Sequence, residues 1–144
     1  MIRIENRYLP ALIPFLQSMK LAGAASRARS KLLAMALAAF QDLAASEQEL
    51  VTEYAVLDEQ GRPVIAEDGS FDLKDPAQVS QYLTEREALL AEQAYLTGPT
   101  YSEHLTQLQN LLESYPVELT GDEADVYDRL CDAVEAALAQ KEQA

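Results

Sequence analysis

One cysteine, one histidine and no tryptophan occur in this chain of 144 residues. A single cysteine, Cys131, excludes an intrachain disulfide and a cysteine-based zinc site, and it suits a reducing compartment. With His104 as the sole histidine, any Ser–His or Cys–His dyad has one available base. Ser102 lies two residues away, on a different side of any helix, and Cys131 falls on an apolar helix face. His104 therefore reads as a surface or interfacial residue, and Cys131 as a small buried hydrophobe. Glycine is also scarce, five residues in all and scattered. No G-x-G-x-x-G fingerprint or phosphate loop can be assembled from them, and nucleophile-elbow and kinase signatures are missing. No apolar run spans a bilayer. The longest, 32-LLAMALAAFQ-41, makes about 15 Å of helix, half a hydrocarbon core. It follows Arg27, Arg29 and Lys31 in a signal-like order, yet no cleavage context follows it. It reads as a buried helix, and the chain as cytoplasmic.

Positive charge is the last scarcity. Eleven basic residues face 24 acidic ones, a net charge of −13. The imbalance is uneven. Residues 1–31 hold six basic residues against Glu5 alone, a net +5, whereas residues 32–144 hold five basic and 23 acidic, a net −18. The acidic remainder repels nucleic acid and anionic lipid and attracts a basic protein surface.

What is present is helical pattern. With 49% hydrophobic residues the chain can bury a core, and its length suits a single domain over 1–144. Residues 2–5 alternate as a short strand. Asn6 suits a helix N-cap, Pro10 sits in a first turn, and Pro14 predicts a kink or restart. Gly23 reads as a stop. The clearest element is a helix over about 26–57, free of Gly and Pro, with Leu33, Leu37, Phe40, Leu43, Leu50, Tyr54 and Leu57 along one side. Its roughly 48 Å exceeds the ~30 Å expected of such a globule. It must protrude, bend, break near 44-AAS-46 or pack on another subunit. Asp68-Gly69 between short apolar runs predicts a β-hairpin over about 63–73. Asp75-Pro76 opens a third helix to about Ala94, with Val79, Leu83 and Leu90 inward. The stretch 97-TGP-99 breaks the chain. Leu105, Leu108, Leu112 and Tyr115 mark a fourth helix, 116–119 a second short strand beside Ile2 and Ile4, and Thr120 with Glu123 a capping box. A final helix carries Ala124, Tyr127, Cys131, Val134 and Leu138. The fold class is mainly α: about five helices around one long helix, with a small β-hairpin.

Two acidic clusters merit a test as metal sites. In 58-DEQGRPVIAEDG-69, Gly61 stands at position 4 of a calcium loop, Val64 and Ile65 intrude, and position 12 is Gly69, so the EF-hand pattern fails. Asp122, Glu123, Asp125 and Asp128 read as favourable charge at a helix N-terminus. No catalytic carboxylate pair stands out, and no cofactor is indicated. The basic run 26-SRARSK-31 is the other candidate. Arg27 and Lys31 share a helical face, and Arg29 stands opposite. Basic residues here oppose the helix dipole. They either pair with the chain's own carboxylates or meet an acidic partner. Without interleaved aromatics, direct nucleic-acid binding is disfavoured. Arg27, Arg29, Lys31, Asp122, Glu123, Asp125 and Asp128 are the candidate partner-binding or ion-pair residues.

The opening I-x-I-E-N-R-x-L and K-L-x-G-x-x-S-R-x-R-x-K from Lys20 to Lys31 resemble a family of small phage and prophage proteins of unknown function. So do 53-EYAVLDEQGRPV-64, the D-G-x-F turn and V-E-L-T-G-D-E-A-D-x-Y-D-x-L-C up to Cys131. The family is that of tailed phages of Gram-positive bacteria, and the resemblance covers nearly the whole chain. It implies expression in a bacterial host cytoplasm and brings no catalytic residues. The expectation is a non-enzymatic, phage-encoded interaction protein with no metal or cofactor. Its acidic surface would bind a host or phage protein, such as a host defence nuclease with a basic groove. The alternative is a virion or tail-assembly accessory that oligomerises through the long helix.

Overall fold

The computed structural model of the chain describes residues 2–96 and 104–142; the expectations at 97-TGP-99 and Ser102 lie outside them. Among the described residues the chain is mainly helical, with five α-helices, one of them long. It divides into two compact units, residues 1–40 with 93–144, and residues 41–92.

The first unit opens on β1 (Ile2–Glu5), where Ile2 and Ile4 are buried and Arg3 is exposed. β1 pairs antiparallel with β2 (Gln93–Leu96), Ile2 opposite Leu96 and Ile4 opposite Ala94. This corrects two expectations. Residues 116–119 form no strand, and the partner comes from 93–96, where the third helix was expected to continue. The Glu-Gln-Ala run prolongs a helical pattern. Glu92 nevertheless turns extended (φ −61°, ψ 143°), so Ala94 and Leu96 complete the apolar face begun by Ile2 and Ile4.

After a 3₁₀ turn at Asn6–Tyr8, α1 (Leu9–Ser18) buries Leu9, Leu12, Phe15 and Leu16. It runs through Pro14 as one helix. The proline faces solvent, and the four buried side chains offset the lost backbone bond. α2 (Gly23–Tyr54) is shifted three residues toward the N-terminus from the expected 26–57, and it does not break at 44–46. Gly23 opens α2, with φ +61°, instead of closing α1. Helix propensity explains the continuity: no Gly or Pro interrupts an Ala-rich run. The buried line on α2 is Ala28, Leu32, Ala36 and Leu43. Leu37 and Phe40, expected inward, are 39% and 37% exposed. Alanines on the inner face allow close approach, so the adjacent Leu/Phe line turns outward.

α4 (Leu105–Glu113) buries Leu105, Leu108, Leu111 and Leu112. α5 (Gly121–Glu142) packs on α1, α4 and β1 with Val126, Leu130, Val134 and Ala137 buried. That stripe is rotated from the expected one, leaving Cys131 and Leu138 only half-buried. Phe15, Tyr115 and Tyr127 form an aromatic cluster, with Phe15 edge-on to both tyrosines and the two tyrosines stacked at 6.3 Å. Tyr127 donates its hydroxyl hydrogen to the Leu112 carbonyl, which fixes α5 to the end of α4.

The second unit holds the end of α2, a ribbon, a 3₁₀ turn at Pro76–Gln78 and α3 (Val79–Ala91). The expected hairpin over 63–73 is part of a three-way arrangement of isolated bridges. Residue 57 pairs with 63, 65 with 71, and 73 with 55, all antiparallel. Asp68 sets the turn: its carboxylate accepts from Ser70 N at 3.0 Å and Ser70 Oγ at 2.6 Å, and Gly69 takes φ +85°. Lys74 closes the end of α2, its N–H on the Tyr54 carbonyl at 2.9 Å and its Nζ toward that of Thr52 at 3.5 Å.

Candidate protein-interaction surface

The residues singled out from sequence lie in the first unit, and each has a local setting. Arg29 reaches back to the end of α1, where its Nη1 donates to the Met19 carbonyl at 2.7 Å and the Leu16 carbonyl at 3.1 Å. A guanidinium at a helix C-terminus meets both the orphan carbonyls and the negative end of the dipole. This resolves the position of a cation opposed to the dipole of α2, because Arg29 serves α1. Arg27 is exposed with no side-chain partner among the described residues, and Lys31 is half-buried. Asp122 and Glu123 occupy the first turn of α5, where acidic charge is favourable. Asp125 is exposed and 3.8 Å from Arg129 Nε, one helical turn on; a surface pair of this kind contributes ~0–1 kcal/mol. Asp128 is exposed. Arg27, Arg29 and Lys31 lie on α2, and Asp122, Glu123, Asp125 and Asp128 on α5.

His104 caps the start of α4 without a side-chain hydrogen bond to it. Burial pushes the Cys131 thiol up from its ordinary value, so it stays protonated at neutral pH and is a poor nucleophile. Among the described residues, no group of three or more His, Cys, Asp or Glu side chains is placed to hold a metal ion.

The unusual surface lies in the second unit. Within residues 41–92 only Leu43, Tyr54 and Ala55 are buried. Val64, Ile65, Val79 and Leu83 are 45–54% exposed. Val79 and Leu83, expected inward, stand one turn apart on the outer side of α3. They border a groove of about 560 Å³ whose other walls include Phe71, Leu73, Pro76 and Tyr82. Tyr82 is held edge-on between Tyr54 and Phe71, with centroids at 5.7 and 5.5 Å, so the groove wall is a fixed aromatic stack. Burial, reinforced by the adjacent Glu85 carboxylate, raises the Tyr54 hydroxyl above the ordinary phenol range. Around this apolar strip the charge is one-sided. Residues 41–92 carry 13 acidic and three basic residues, a net −10, which is most of the net charge of the chain. Sequence reasoning missed the surface because apolar residues at helical spacing imply burial. α3 carries such residues yet buries none of its side chains.

The family model described as "Protein of unknown function (DUF1617)" matches residues 1–141, through both units. The chain belongs to that family. No curated protein and no solved structure matches this DUF1617 chain. No described helix of the DUF1617 chain is long and apolar enough to cross a membrane.

Proposed function

We propose that this is a non-enzymatic, phage-encoded interaction protein that acts in the cytoplasm of the bacterial host. It binds a protein with a basic surface through residues 41–92. One observation carries the reading: the unit with net charge −10 is also the unit that leaves Val64, Ile65, Val79 and Leu83 open to water. Exposed apolar side chains on a strongly acidic unit suit a binding surface. Acidic charge disfavours nucleic acid as the direct ligand and favours a protein that itself holds nucleic acid in a basic groove, such as a host defence nuclease. The phage setting is supported by the resemblance of the Ile2–Leu9, Lys20–Lys31 and Val117–Cys131 motifs.

The test is affinity purification with cross-linking from bacterial cells expressing the chain, in low and high salt. Recovery of a basic protein, with retention falling as salt rises, is the expected outcome. Recovery of only acidic proteins, or retention indifferent to salt, rejects the proposal.

A second reading has its own support. Leu37 and Phe40 form an exposed apolar pair three residues apart on α2, which suits a virion or tail-assembly accessory that oligomerises through this helix. Light scattering separates the two: a stable oligomer dispersed by Phe40→Glu favours assembly, and a monomer favours the interaction protein.

A further inference from the structure

We propose that the groove between α3 and the ribbon receives a basic amphipathic helix of the partner protein. This rests on the reading of residues 41–92 as the interaction unit and adds the form and chemistry of what docks there. Two observations favour a helix over an extended strand. The ribbon has no regular strand edge: its three short segments meet only at isolated bridges and bond to one another through Val56 N to Asp72 O, Val64 N to Val56 O, Ala66 N to Ser70 O and Lys74 N to Tyr54 O, at 2.8–2.9 Å. Strand addition requires unpaired backbone groups along an edge. Side-chain packing is what remains, and the groove offers it. Val79, Tyr82 and Leu83 line it from α3 and Phe71 and Leu73 from the ribbon. Apolar side chains of a docked helix at i, i+3 or i+4, and i+7 fill such a trough.

Charge complementarity decides the polar face of the occupant. Asp72 lines the groove, and Glu67, Asp68 and Asp75 lie on the exposed ribbon and on the turn that leads into α3. In this unit Arg62, Lys74 and Arg86 are the only cations. A helix with acidic flanks would bring like charges together, whereas lysines or arginines there meet the carboxylates. A second copy of this chain is a poorer occupant, because its own second unit carries the same −10.

The test uses the full chain and two synthetic amphipathic helical peptides with the same leucine face, one with lysine and one with glutamate on the polar face. Fluorescence anisotropy at low and moderate salt is the readout. The lysine peptide is expected to bind and to weaken with salt. The double variant Val79→Ser, Leu83→Ser keeps every charge and is expected to bind ~10-fold or more weakly. Both positions are exposed, so an unchanged thermal melt checks that the variant folds. Equal binding of both peptides, undiminished binding by the double variant, or dimerisation that depends on Leu83 overturns the groove. Failure of this inference is distinguishable from failure of the broader reading. If the double variant still captures the same cellular partner as the unsubstituted chain, the groove is wrong and the interaction role stands. If the unsubstituted chain captures no basic protein while the peptide result holds, the groove stands and the proposed role does not.

Discussion

Arg29 shows how one side chain can join two elements. Its guanidinium donates to the Leu16 and Met19 carbonyls at the end of α1, the first of which also takes the Met19 N–H at 3.4 Å, while its backbone belongs to α2. Arg29→Met keeps much of the aliphatic packing and removes both hydrogen bonds, so it should lower stability by about 2 kcal/mol in urea unfolding. Arg27→Met, at an exposed position, should stay within ~0.5 kcal/mol. Equal effects at the two positions would show that the contacts at the end of α1 contribute nothing. Asp68 supplies a pH-dependent counterpart. The Ser70 hydroxyl, and then its N–H, hold the Asp68 carboxyl below its usual value. A depressed folded value means stabilisation that is present above the unfolded value of ~3.9 and is lost as pH falls through the folded value. The Gly69 and Ser70 amide resonances should therefore shift on acidification below pH ~4. In Asp68→Asn that transition should vanish; its persistence would assign it to another group.

Elements differ in how they use apolar residues. α5 is a supporting helix: Val126, Leu130 and Val134 are all but inaccessible. Leu130→Ala should cost ~2–5 kcal/mol, the usual penalty for a cavity in a packed core. α3 has the same kind of residue at the same spacing but buries none of its side chains. Leu83→Ala should change stability by less than ~0.5 kcal/mol. Thermal or urea unfolding of the two variants checks both values. A large loss at Leu83 would mean that α3 is packed in solution and the groove is closed. α2 has both characters at once, an inner line of Ala28, Leu32, Ala36 and Leu43 beside an outer pair, Leu37 and Phe40.

For the molecule as a whole, the distribution of burial and charge predicts unequal stability. The first unit contains most of the buried side chains, and the second combines three buried residues with a net charge of −10. Few buried apolar contacts and self-repulsion both favour local opening. Hydrogen exchange should be faster over residues 55–92 than in α1 and α5, and moderate salt should slow it selectively over 41–92 by screening. Uniform protection, or no response to salt, would contradict this. A bound partner that covers the groove would protect the same segment.

The helix count, the long second helix, the Asp68-Gly69 turn and the strand at 2–5 were legible because each rests on local chemistry: propensity, Gly and Pro placement, and side-chain alternation. The acidic bias of 41–92 was legible for the same reason, since charge is a property of composition. Long-range choices were not. The sequence alone could not say that Ile2 and Ile4 pair with 93–96 instead of 116–119, because both stretches supply apolar residues at strand spacing and β pairing is settled by distant neighbours. Nor could it say that the alanine side of α2 turns inward while Leu37 and Phe40 turn out, or that Val79 and Leu83 remain in water. Periodicity identifies an apolar face; only the tertiary structure decides whether another element covers it.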